Sequence, residues 1–213
     1  MPQVSHAHKH AHKLCFSCEN KLAEEGRCTI AGIDEVGRGP LAGPVTAAAV
    51  VINNPFPLTE LNDSKRLSPK KRLALYQLIK EHADVGIGHG DVDEIDQINI
   101  LQATFLAMSR AVQALPHPPD YTLVDGNRLP RQWPYAGHPE VGGDGRIMSI
   151  AAASVVAKVT RDKIMHTLAA DFPQYGWQTN AGYGAKKHLD ALTEYGITPH
   201  HRRSFAPVAK FCR

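Results

Sequence analysis

From residue 29 onward the chain alternates short apolar runs with longer stripes of apolar positions at helical spacing. Thr29–Ile33 is a short apolar run that ends at Asp34-Glu35, and Val45–Ile52 (VTAAAVVI) is β-branched and alanine-rich. A glycine- and proline-rich loop, Gly37-Arg38-Gly39-Pro40-Leu41-Ala42-Gly43-Pro44, lies between them. The two runs therefore predict strands paired antiparallel across a short connection. Ser68 followed by Pro69 predicts an N-cap and first helical position, opening a helix through KKRLALYQLIKEHA. Asp84–Val92 (DVGIGHGDV) alternates like a third strand, although its glycines weaken the pattern. Ile98, Leu101, Phe105, Met108, Val112 and Leu115 follow at alternating spacings of three and four, which places them on one helical stripe facing a core. Prolines 116, 118 and 119 stop that helix. Tyr121–Val124 predicts another strand, ending at Asp125-Gly126. A turn at Gly142-Gly143-Asp144-Gly145 leads into a helix over 149–170, whose first half (AAASVVA) is small enough for close backbone packing. A last helix covers 185–195 and stops at Gly196. Strands and helices interleaved in this way predict one α/β domain over 29–213.

Composition changes the picture mainly before residue 29. Four of the twelve histidines (His6, His8, His10, His12) and three of the four cysteines (Cys15, Cys18, Cys28) lie in residues 1–28. Cys15 and Cys18 form a C-x-x-C, with Cys28 further on. These fit a zinc site completed by His12 or another histidine, or else a flexible His/Cys-rich extension with reduced thiols. The segment lacks the apolar core of a secretory signal, and no apolar run approaches the roughly 18 residues of a membrane span. The expectation is a cytoplasmic protein, monomeric and without a membrane partner. A net charge of +3 permits nucleic-acid binding without demanding it.

The chemistry gathers at acidic positions. Asp34 and Glu35 end one strand, Asp125 ends another, and Asp144 sits in the turn before a helix. Clustered carboxylates repel one another, and divalent cations relieve that repulsion. Hard oxygen ligands suit Mg²⁺ or Mn²⁺ and phosphoryl chemistry. Taken singly, Asp125-Gly126 and Asp144-Gly145 also read as ordinary turn chemistry. Gly37, Arg38 and Gly39 adjoin the acidic pair and fit neither a P-loop nor a dinucleotide fingerprint, but they let a ligand approach the backbone. Lys65, in the turn after Asp63-Ser64, is a candidate phosphate contact. The other basic residues, including Lys158, Arg161, Lys186, Arg202 and Arg203, read by default as solvated faces. Tyr183, between Gly182 and Gly184, stacks on a sugar or base or else packs its loop down. No histidine is placed as a general base.

GIDEVGRGPLAGPV, NDSKRLSPKKR, QINILQATFLAM, VDGN, SIAAASVVAKVTRD, GYGAKKH and HRRSFAPV occur here in one order. Together they resemble bacterial ribonuclease HII, the type 2 ribonuclease H family, over residues 30–208. The resemblance implies an RNase H-like fold, a five-stranded mixed sheet flanked by helices. It implies cleavage of the RNA strand of RNA–DNA hybrids and incision at ribonucleotides embedded in DNA, leaving 3′-hydroxyl and 5′-phosphate ends through two Mg²⁺ or Mn²⁺ ions. The family's carboxylates map onto Asp34, Glu35, Asp125 and Asp144, its Gly-Arg-Gly onto Gly37, Arg38 and Gly39, and its substrate-reading tyrosine onto Tyr183. Gly142 departs from the pattern, since the family often has Lys there. Asp162 also lies in a family motif. Thirteen residues along its helix, it is about 20 Å from the helix start and out of reach of a centre at the strand ends. Pairing with Arg161 or Lys158 suits it better. The competing readings are another metal-dependent nuclease with this core, such as a resolvase or exonuclease, and a non-enzymatic nucleic-acid-binding protein.

Overall fold

The structure is a computed structural model and describes residues 14–53 and 67–212. In chain order its elements are α1 (Ser17–Glu24), β1 (Ile30–Val36), β2 (Val45–Val51), α2 (Pro69–His82), β3 (Asp84–Gly90), α3 (Val92–Gln113), β4 (Tyr121–Asp125), β5 (Gly137–Glu140), α4 (Met148–Asp171), α5 (Trp177–Asn180), α6 (Lys186–Tyr195) and α7 (Ala206–Ala209). The strands form one sheet in the order β3-β2-β1-β4-β5. Pairing is antiparallel between β1 and β2 and between β2 and β3, and parallel from β1 to β4 to β5. This is the mixed five-stranded α/β sheet that the resemblance implies. Residue patterns predict four of its strands. β5 (GHPE) carries no apolar signal, because all four of its residues are only half-buried at the sheet edge.

Apolar side chains pack on both faces. On one, Ile33, Val45, Val124 and others of β1, β2 and β4 meet Ile95, Met108 and Val112 of α3. On the other, Ala48 and Val50 meet Leu75 and Ile79 of α2 and Ala152, Val155 and Val156 of α4. Each large aliphatic side chain removed from water contributes roughly 1.5–3 kcal/mol. Glycines let the helices approach closely. A Cβ on Gly88 would stand 2.2 Å from the Ala107 carbonyl oxygen, so the glycines that weaken the β3 pattern mark where α3 lies on the strand. On the opposite face, a Cβ on Gly32 of β1 would stand 2.2 Å from the carbonyl carbon of Ser149. The small first half of α4 therefore packs as expected.

Of the helices α2 and α3, the first begins as the sequence predicts and the second does not. Ser68 does accept from the Lys71 N–H, and Pro69 opens α2. But α3 starts earlier, at Val92, where Asp91 and Glu94 form a reciprocal capping box. Asn99 then interrupts it with φ 67°, and this kink shifts the stripe. Ile98 is 39% exposed, while Ala103, Ala107 and Ala111 take the sheet-facing positions.

Residues 14–28 differ from the flexible extension expected. Leu22 of α1 is buried against Ile30, Leu123, Ile147 and Ile150. The Glu19 carboxylate accepts from the N–H and hydroxyl of Ser149 at 3.0 and 2.8 Å. It thus caps the start of α4, which has no cap of its own. Residues 1–13, His12 among them, lie outside the described residues. Cys15 and Cys28 are exposed, and among the described residues no group of His, Cys, Asp or Glu is arranged to hold a metal. The zinc reading therefore has no support. No described helix is long and apolar enough to cross a membrane.

Candidate active site

The parallel β1–β4 register pairs Ile33 with Val124, so the next residues along, Asp34 and Asp125, lie side by side at the centre of the sheet. Asp34 and Glu35 fall inside β1 rather than after it, because β1 continues to Val36 while pairing with β2. Successive side chains then point to opposite faces. Asp34 is 6% exposed, and the buried Ser154 of α4 hydrogen-bonds its carboxylate. The Glu35 N–H donates to Asp34 Oδ1 at 2.7 Å. Burial, joined by the charges of Glu35 and Asp125, raises the Asp34 carboxyl well above its ordinary range. Burial also raises Glu35, against the opposing pull of Arg38, whose guanidinium lies 3.3 Å away.

Asp125 holds the turn that carries Asp144. Its Oδ1 accepts from the Gly143 N–H at 2.7 Å and from the Asp144 N–H at 3.4 Å. Residues 143–145 form one 3-10 turn running into α4, and Gly142 precedes it with φ 66°. Lysine at position 142 would be strained in that backbone. Asp162, by contrast, sits well along α4, where Lys158 Nζ meets it at 2.7 Å and Arg72 at 3.7 Å. A cleft of about 400 Å³ opens beside Glu35 and Asp125, lined also by Arg38, Phe105, Asn127 and Arg128. Among the described residues no three donors are gathered as a finished coordination shell. The donor set nonetheless fits divalent cations: its oxygens are hard ligands, and burial, joined by the charge of neighbouring carboxylates, already raises Asp34 and Glu35.

The glycine-rich loop and the tyrosine loop form one platform beside this cleft. Gly37 has φ 92°, and a Cβ there would stand 2.1 Å from Arg161 Nε. Gly39 lies against Tyr183, since a Cβ on it would stand 3.3 Å from the tyrosine ring. Tyr183 itself is 48% exposed. The Leu41 N–H donates to the Gly182 carbonyl, tying the loops together. Lys65 lies outside the described residues.

Arg161 and Arg202 are not the solvated residues that default reading expects, being 1% and 0% exposed. Burial pushes their guanidinium groups down to about 10 and about 9. The signal for Arg161 was its helical phase, which it shares with the buried Ser154, Ala157 and Met165. Two histidines are also buried. His188 of α6 meets His201 at 3.0 Å (Nε2 to Nε2) and receives the Trp177 indole N–H at 3.2 Å. His188 Nδ1 lies 2.9 Å from the Tyr183 carbonyl, and Thr198 donates its N–H to His201 Nδ1 at 2.9 Å. Every polar hydrogen in this chain is placed when both rings are neutral.

Comparison with known proteins agrees with this architecture. The family model described as Ribonuclease HII matches residues 31–208. A protein named Ribonuclease HII from Ruegeria sp. (strain TM1040) is 55% identical over 195 residues, covering 92% of this chain and 85% of that protein. In structure, the chain resembles the ribonuclease H2 from Pyrococcus horikoshii OT3, with TM-score 0.71 at 24% identity over 86% of this chain and 96% of that one. It also resembles Bst-RNase HIII in complex with Mn²⁺, with TM-score 0.67 at 18% identity over 87% of this chain and 70% of that one.

Proposed function

The chain belongs to the ribonuclease HII family of metal-dependent endoribonucleases, and on that basis we propose that it cuts the RNA strand of RNA–DNA hybrids and incises DNA at single embedded ribonucleotides. The observation that carries this reading is the placement of the buried Asp34 beside Asp125, which grips the Asp144 turn, next to a loop platform ending in Tyr183. Residues 29–213 are the catalytic body in this proposal.

Asp34, Glu35, Asp125 and Asp144 are the residues that would hold two Mg²⁺ or Mn²⁺ ions. The Mn²⁺ bound by the structurally similar Bst-RNase HIII supports that choice of metal. Divalent cations, when bound, would supply Lewis acidity at the scissile phosphate, and the expected ends are a 3′-hydroxyl and a 5′-phosphate. The chain's own contribution is placement. Asp34 and Asp125 are fixed by the sheet, Ser154 orients the Asp34 carboxylate, and Asp125 anchors the backbone of Asp144. Arg38, 50% exposed at its side chain and paired with Glu35, is placed to meet a substrate phosphate. Gly37, Arg38 and Gly39 read the ribose 2′-hydroxyl through the backbone, Tyr183 stacks at the junction, and Lys65 contacts phosphate.

A DNA duplex with one ribonucleotide, end-labelled and incubated with Mg²⁺ or Mn²⁺, should be nicked on the 5′ side of that residue or one step away. An all-DNA duplex should stay intact, and chelation should stop the reaction. Nicking of the all-DNA duplex would point instead to a nuclease of the resolvase type. Metal-independent binding with no cleavage would point to a non-enzymatic protein.

A further inference from the structure

The glycine-rich loop rests on two buried cations with which no carboxylate among the described residues forms an ion pair. Arg202 donates to three main-chain carbonyls: Gly37 at 2.6 Å, Arg38 at 2.9 Å and Gly43 at 2.9 Å. Arg161 donates to Pro44 at 2.9 Å, Ala42 at 3.0 Å and, across to the tyrosine loop, Ala181 at 2.9 Å. Burying a guanidinium is costly unless its donors are satisfied, and here carbonyl oxygens satisfy them. Ordinary core packing would be served as well by an apolar residue at no such cost.

The consequence lies on the other side of each peptide. None of the described peptides is cis, so each of these C=O groups points opposite to the N–H of the following residue. Drawing the Gly37 and Arg38 carbonyls inward to Arg202 turns the Arg38 and Gly39 N–H groups outward. Arg38 and Gly39 are both exposed, and neither N–H meets a main-chain acceptor among the described residues. Tyr183 lies against Gly39 of the same loop. Arg161 braces the same arrangement from below, since its guanidinium fills the space that a Gly37 side chain would need.

We infer that Arg202 is a positioning residue for ribose recognition, holding the Arg38 and Gly39 amides as a preset pair of donors for the substrate's 2′-hydroxyl, with Arg161 locking that loop to the tyrosine loop. The inference rests on the proposed ribonucleotide-incising activity and deepens it. Lysine at position 202 keeps the charge but lacks the planar fork that serves three carbonyls at once.

The test compares the unaltered chain with Arg202→Lys on two duplexes, one all-DNA and one carrying a single ribonucleotide. Binding is measured in Ca²⁺ and incision in Mg²⁺, on protein whose melting curve shows it folded. Arg202→Lys should lose at least about tenfold in kcat/KM on the ribonucleotide duplex, together with its preference for that duplex in binding. Affinity for the all-DNA duplex should barely change. Undiminished incision by Arg202→Lys, or an equal loss of affinity for both duplexes, overturns the inference. If the unaltered chain itself fails to incise, it is the proposed function that fails. Should Arg202→Lys not fold, amide hydrogen exchange on the unaltered chain decides. The Arg38 and Gly39 amides should gain protection from the ribonucleotide duplex and not from the all-DNA duplex, and equal protection by both overturns the inference.

Discussion

At the ends of β1 and β4 negative charges are crowded together, and burial with mutual repulsion raises Asp34 and Glu35. Next to them the loop at 37–44 rests on positive charges that are buried too, yet each guanidinium is satisfied by main-chain carbonyls. In the first region Arg38, at Glu35, offsets part of the crowded charge, whereas in the second each buried cation is satisfied by carbonyls of the fold itself. Binding energy can then go to the reacting phosphate rather than to building the platform. The two regions should therefore answer substitution and pH in opposite ways.

The largest effect is expected at the acids. Asp34→Asn, Asp125→Asn or Asp144→Asn should lower metal-dependent incision on the order of 10³-fold. Asp162→Asn, paired with Lys158 away from the strand ends, should leave turnover far closer to normal. Asp34→Asn should also raise the melting temperature of the metal-free protein. A raised native carboxyl pKa means that the native state binds more protons than the unfolded chain above the ordinary value of 3.8, so stability falls as pH rises through that window. Removing the charge recovers it, at about 2–4 °C per kcal/mol. A lower melting point in Asp34→Asn would break the contrast between the two regions.

Tyr183→Ala comes next. Loss of a stacking contact should reduce incision at a single ribonucleotide roughly tenfold or more, with the melting point little altered because the ring is half exposed. Unchanged kinetics in the folded variant would remove Tyr183 from the platform's function.

The platform's pH response should carry the opposite sign to that of the acids. Burial lowers His201 from 6.5 to about 3. The native ring stays neutral while the unfolded chain takes up a proton, so stability is lost as pH falls below about 6.5. His201→Asn keeps an acceptor near the Thr198 N–H and removes the titration. It should melt lower at pH 8 yet lose less stability between pH 6.5 and 5. An acid slope as steep as that of the unaltered chain would show that the histidine pair is not its source.

The smallest effect should come from the docked N-terminal helix. Glu19→Ala removes a helix cap, worth about 1 kcal/mol or about 2–4 °C in melting temperature. A chain beginning near Thr29 should melt lower still and keep metal-dependent cleavage. Lost cleavage in a folded, truncated chain would make residues 1–28 part of the working enzyme.

Some of this was determined by the sequence alone. Capping at Ser68 and Pro69, the strands Val45–Val51 and Tyr121–Asp125, and the small-residue face of α4 follow from local rules of dihedral angle, period and side-chain size. The four candidate carboxylates and the candidate loops at Gly37–Gly39 and Tyr183 also stood out in the sequence, because acids directly after an apolar run or in a turn, with glycines beside them, are unusual in local terms. Other features needed the third dimension. Whether Arg161, Arg202, His188 and His201 face water or the interior depends on which neighbours cover them, and apart from the helical phase of Arg161 their sequence patterns look like those of surface residues. The kink at Asn99, the fifth strand GHPE and the docking of Glu19 on Ser149 likewise depend on partners distant in the chain. Local preference sets what each segment can become, but burial and long-range hydrogen bonds exist only once the sheet has brought the segments together.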